Sequence, residues 1–224
     1  MPAPDILPRP MDSRPALGHV NLMIDTFIAN ASAEDLRSIM RNLLATGPPG
    51  LCPAFTNAAR SRLRQTSAKS MPNPYTLFQR QTRDCDAAPL PQLYDTLTRA
   101  RSLYGAGLGF SSLALLAQVV RATVGLRWED DGDMADILAV IDADIGQAIQ
   151  VGLHIFDNNT RSLSTASQSS KEEIEGGRVS DFSSAREAAQ DLRRAVNESL
   201  ADVKLWGGDF PYERALASLQ YWKF

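Results

Sequence analysis

Apolar residues recur along this chain at spacings of three and four, the period of amphipathic helices, and no run alternates as a half-buried strand does. Pro15 to Ile28 reads as a first helix, with Leu17, Val20, Met23 or Ile24, Phe27 and Ile28 on one face. Ser32 then opens a second, whose stripe is Leu36, Ile39, Met40, Leu43 and Leu44. Ser32 is an N-cap residue, Glu34 and Asp35 suit the positive end of the helix dipole, and Thr46-Gly-Pro-Pro-Gly50 stops the helix. A third helix is expected from Pro53 to Thr66. After it, prolines break the segments Ser70–Phe78 and Asp84–Pro91, and Tyr75, Leu77 and Phe78 are expected to pin this connection to the core as one short helical turn. Leu93, Leu97, Ala100 and Tyr104 mark a fourth helix, and Met134, Ile137, Leu138, Ile141, Ile145 and Ile149 a long one from Met134 to Phe156. Ala188, Leu192, Val196, Leu200 and Val203 mark another from Ala185 to about Leu205, with Ser183 or Ser184 as its N-cap. Trp206-Gly-Gly-Asp209 ends that helix before a last short one over Tyr212–Phe224.

The centre of the pattern is Leu103–Gln150, and within it Ser102 through Val120 carry no charge. Arg101 and Arg121 flank this run as they would a membrane span. However, three glycines, three serines and a glutamine leave only Leu108–Val120 mainly apolar, and about 13 residues at 1.5 Å each fall short of a ~30 Å hydrocarbon core. Gly105-Ala-Gly107-Leu-Gly109 carries the first two glycines of a dinucleotide fingerprint. Phe110 stands at the third glycine position, and a helical rather than a strand pattern precedes it. No Gly-Lys-Ser or Gly-Lys-Thr occurs, which excludes a P-loop. The reading that agrees with all of these residues is a helix, a glycine hinge and a second helix buried nearly all round.

The expected fold is therefore all-α, an irregular helical bundle or short helix-repeat stack around a buried central helix at about 110–126. The four prolines among the first ten residues predict a disordered segment over 1–14 before a helical core over 15–156. Asn, Ser, Thr, Gln, Glu and Gly dominate residues 157–184, which predicts a flexible linker or long loop. Helices over 185–224 are expected to dock on the core.

Hydrophobic content of 44% and charged content of 22% are ordinary for a folded chain of 224 residues. The net charge of −3 conceals an asymmetry. Residues 1–105 hold 12 Lys/Arg against 8 Asp/Glu, and residues 106–224 hold 11 against 18. Opposite blocks of this kind either attract each other within the molecule or serve different partners. Cys52 and Cys85 have no Cys-x-x-Cys spacing, and no apolar leader opens the chain, so a cytoplasmic or nuclear location with reduced thiols is expected.

Candidate chemistry is sparse. His19 and His154 are the only histidines, and neither has a nucleophile or orienting partner at a recognisable spacing. The acids Glu129 to Asp136 fail the EF-hand order, because Leu138 falls where the closing Glu belongs, and they suit helix capping instead. Asp142 and Asp144 are about 200° apart around a helix and cannot form one site unaided. No motif calls for a cofactor, a metal or a membrane, and no catalytic residue is assigned. Two features suit partners: the basic segment Arg60, Arg62 and Arg64, with Lys69, Arg80 and Arg83 beyond it, and the aromatic tail Tyr221, Trp222 and Phe224. The tail is expected to dock in cis. The expectation for the whole is a non-enzymatic protein–protein interaction or scaffold module. A nucleic-acid-associated protein using residues 60–83 is the alternative, and an enzyme of unknown class the next.

Overall fold

The computed structural model describes residues 22–67, 72–81, 86–165 and 168–222. The expectations for residues 1–14, for Leu17, His19 and Val20, and for Lys69, Arg83, Cys85 and Phe224 lie outside them. The fold is all-α, since helix accounts for 77% of the structure and strand for 2%. Among the described residues the chain forms α1 (Leu22–Asn30), α2 (Ala33–Thr46), α3 (Leu51–Ser67), α4 (Pro91–Gly105), α5 (Gly109–Ala122), α6 (Asp133–Thr165), α7 (Gln168–Trp206) and α8 (Glu213–Tyr221). A 3-10 turn, Pro74–Thr76, precedes two residue pairs of antiparallel sheet, β1 (Phe78–Gln79) on β2 (Ala88–Pro89). Helical periodicity foretells neither strand, because a ladder this short carries no repeat to read.

The chain divides into two compact units, Met1–Pro53 and Ala54–Phe224. In the first unit the Ser32 hydroxyl caps α2 by accepting the Asp35 N–H at 3.0 Å. Helix α2 follows the range its sequence predicts, and α1 covers the described part of the first expected helix, yet α2 buries no residue and every described side chain of α1 from Ile24 to Asn30 is exposed.

The second unit holds the core. In α5, Leu113, Leu116, Ala117, Val119 and Val120 have no exposed surface, and the helix is enclosed by α4, α6 and α7. A helix apolar on several faces has no stable place except such a centre. The predicted stripe of α6 is buried throughout, from Met134 to Ile149, and so are Leu192, Val196 and Val203 of α7. Leu77 and Phe78 anchor the proline-broken arm as expected, whereas Tyr75 points outward and is 77% exposed. A tyrosine there can satisfy its hydroxyl in water, which the two apolar anchors have no reason to seek.

Two glycines explain how α4 turns into α5. Gly107 has φ +76°, a left-handed conformation that closes α4 with its N–H bonded to the Tyr104 carbonyl. Gly109 begins α5 where it crosses α6. A Cβ there would fall 2.8 Å from the backbone nitrogen of Gly152, so the close approach requires hydrogen at that position.

The segment expected as a linker or long loop, residues 157–184, holds the end of α6 and the start of α7. Helix α6 continues to Thr165 and α7 begins at Gln168, so the polar composition is carried mainly on helical backbone. Ser, Glu, Gln and Lys are all compatible with helical backbone, and polarity alone therefore does not break a helix.

Candidate functional site

The sequence-predicted basic segment lies on α3, and its three arginines part company. Arg60 is half-buried, and its Nε donates to the carbonyl oxygen of Ala106 at 2.7 Å, tying α3 to the junction of α4 and α5. Its guanidinium lies where a side chain on Gly107 would go. Arg62 and Arg64 are exposed. A phosphate-tracking face built on all three thus loses the residue that shares a face with Arg64. Nothing local in the sequence announces a carbonyl 46 residues away.

The aromatic tail also separates. Trp222 is buried and stacks on Phe110, with ring centroids 6.2 Å apart and planes 20° from parallel. Arg193 of α7 holds its carbonyl oxygen at 3.0 Å and also donates to that of Leu219. Tyr221 is 85% exposed and remains available for contact. Docking α8 also buries Tyr212, whose hydroxyl faces the Thr123 hydroxyl at 3.5 Å and whose pKa is pushed up by burial.

Sequence reading placed Asp142 and Asp144 on different sides of one helix, and both turn out to be buried and structural. Asp144 accepts from the Arg101 Nε at 3.0 Å and from the Tyr104 hydroxyl at 3.0 Å, so α4 grips α6 with two residues one turn apart. Asp142 accepts the Ala215 N–H at 2.9 Å and so supplies, from a neighbouring helix, the cap that the α8 sequence lacks. Burial raises the Asp142 pKa above its ordinary value, and the backbone N–H groups of Ala215 and Arg214 oppose that rise. Two further pairs fasten α7: Arg121 with Asp191, the Nη1–Oδ2 distance being 3.0 Å, and Arg127 with Asp202 at 3.0 Å. The hydrogen bonds from Arg121 hold the Asp191 carboxyl below the ordinary value. Most of these links join residues of the acidic half to one another. Arg101–Asp144 joins the basic half to it.

The acidic turn Glu129–Asp133 leads into α6, and among the described residues no group of three His, Cys, Asp or Glu side chains is placed to hold a metal ion. His154 lies on α6 and is exposed. Among the described residues no helix is long and apolar enough to cross a membrane.

The described apolar residues of α1 and α2, expected in the core, lie at the surface. On α2, Ile39, Met40 and Leu43 are 41%, 40% and 50% exposed, and Leu36 and Leu44 extend the same stripe half-buried. On α1, Ile24, Phe27 and Ile28 are 54%, 49% and 53% exposed. Periodicity reveals that a face is apolar, not what covers it. Compared with protein-family models, curated proteins and solved structures, the chain matches none of them.

Proposed function

We propose that this protein is a non-enzymatic interaction module, cytoplasmic or nuclear, in which α2 with α1 is the partner-binding element and the Ala54–Phe224 unit is a separate stable bundle. The observation that supports this reading is the α2 stripe. A 14-residue helix with apolar residues at 36, 39, 40, 43 and 44 has the anchor spacing with which helices enter apolar grooves. Ile39, Met40 and Leu43 of that stripe stay exposed. Scattered apolar residues need no explanation, but apolar residues at helical spacing left exposed on α2, with more exposed on α1, suit a contact surface. Glu34, Asp35, Arg37 and Arg41 on the same helix supply the charged rim that sets orientation. The partner is a protein with an apolar groove.

The nucleic-acid reading has less support, because Arg60 is committed to the Ala106 carbonyl.

The test is co-purification from cells of origin with wild-type chain and with a Leu43→Asp variant. Proteins recovered with the wild type and lost with the variant, at unchanged melting of the bundle, are expected. An identical set with both would remove α2 from the reading, and turnover of a metabolite by the purified chain would remove the reading altogether.

A further inference from the structure

In the Ala54–Phe224 unit, the arm over residues 72–81 leaves a cleft of about 390 Å³ against α5 and the loop that follows it. That volume lies within the roughly 300–1,000 Å³ of small-molecule sites. Phe78, Ala122 and Leu126 contribute an apolar lining. Tyr75 supplies an exposed aromatic wall, and the Arg80 guanidinium lies over its ring at 5.9 Å from the centroid. This stacking positions the cation while leaving its N–H edge open. Among the described residues Arg80 has no hydrogen-bond or ion-pair partner, and the side-chain amide of Gln118, half-buried on α5, has none either. The second cation at the cleft, Arg121, differs, because Asp191 and Glu198 neutralise it.

We propose that this cleft binds a small amphiphilic carboxylate, its apolar body against Phe78, Ala122 and Leu126 and its carboxylate on Arg80 and Gln118. The chemistry follows from what the lining leaves unspent. A planar guanidinium edge matches a carboxylate with two parallel N–H donors, and the Gln118 amide on the same lining offers a further N–H donor. A neutral ligand of the same shape would fill the apolar floor but leave the cation unused. The site lies in the bundle and does not depend on the interaction proposed for α2.

Naphthoate is a suitable probe, with naphthalenemethanol as its neutral counterpart, each titrated into the full chain under amide-resolved NMR. Saturable naphthoate binding is expected, with shifts centred on Arg80, Gln118, Ala122 and Leu126. Arg80→Gln, an exposed substitution, is expected to weaken naphthoate by about tenfold, the worth of one charge-assisted hydrogen-bonded contact. Naphthalenemethanol should bind more weakly to the wild type and be unaffected by that variant. Absence of saturable naphthoate binding, shifts centred elsewhere, or equal naphthoate affinity in wild type and Arg80→Gln would each overturn the proposal.

Discussion

At Gly107 two constraints coincide, a positive φ and the Arg60 guanidinium lying where a side chain would go. Gly107→Val is therefore expected to cost about 1–3 kcal/mol, the strain of a non-glycine residue held in a left-handed conformation. Denaturant unfolding checks this, and unchanged stability would contradict the hinge. Two carboxylates pull the acid limb of stability in opposite directions. Asp191 has a depressed pKa in the folded protein, so its contribution is complete above the unfolded value of 3.8 and is lost as pH falls through the folded value. The Asp142 pKa is raised, so its ionised form carries a burial cost at neutral pH, relieved as pH falls through the raised value. Asp191→Asn is expected to lower neutral stability by about 1–2 kcal/mol, as for a charge-assisted hydrogen bond partly open to solvent, and to flatten the acid limb. Asp142→Asn keeps an acceptor for Ala215 and should leave neutral stability equal or higher while steepening acid loss. Melting temperatures across acid pH distinguish the two.

At the scale of elements, the tail offers a direct comparison. Trp222→Ala is expected to cost about 3–5 kcal/mol, as for other buried tryptophans, while Tyr221→Ala should stay within about 0.5 kcal/mol. Equal effects in equilibrium unfolding would mean that α8 is not held as described. The helices of the bundle were legible because their apolar residues repeat with the period of the face they bury, from Leu93 to Val203. Ser32 announced the start of α2, and Trp206-Gly-Gly announced the end of α7. The α8 cap was not legible, because its acceptor is Asp142, 73 residues earlier in the chain. Nor was the helical backbone across 157–165 and 168–184, where polar composition resembles that of a loop. The site candidates show the same limit. Trp222 and Tyr221 are neighbours in sequence, yet one is core and the other surface, a difference decided by Phe110 and Arg193.

Across the whole molecule, the two units treat hydrophobic residues differently. The bundle encloses α5 within α4, α6 and α7 and fastens its layers with buried carboxylates on arginine, tyrosine and backbone N–H groups. The first unit carries apolar residues at helical spacing on α1 and α2 and leaves Ile24, Phe27, Ile28, Ile39, Met40 and Leu43 exposed. The sequence stripe is the same kind of signal in both, and its meaning depends on what it faces. This difference is what the interaction reading rests on, and two methionines report on it. Met40 on α2 is 40% exposed, whereas Met134 on α6 is 3% exposed. Oxidative footprinting of the isolated full chain, and of the same chain in complexes recovered from cells, compares them directly. Met40 is expected to oxidise rapidly in the isolated chain and to be protected in the complexes, with Met134 slow in both. Met40 equally slow in the isolated chain and in the complexes would mean that its face is already covered, and would contradict α2 as the partner-binding element.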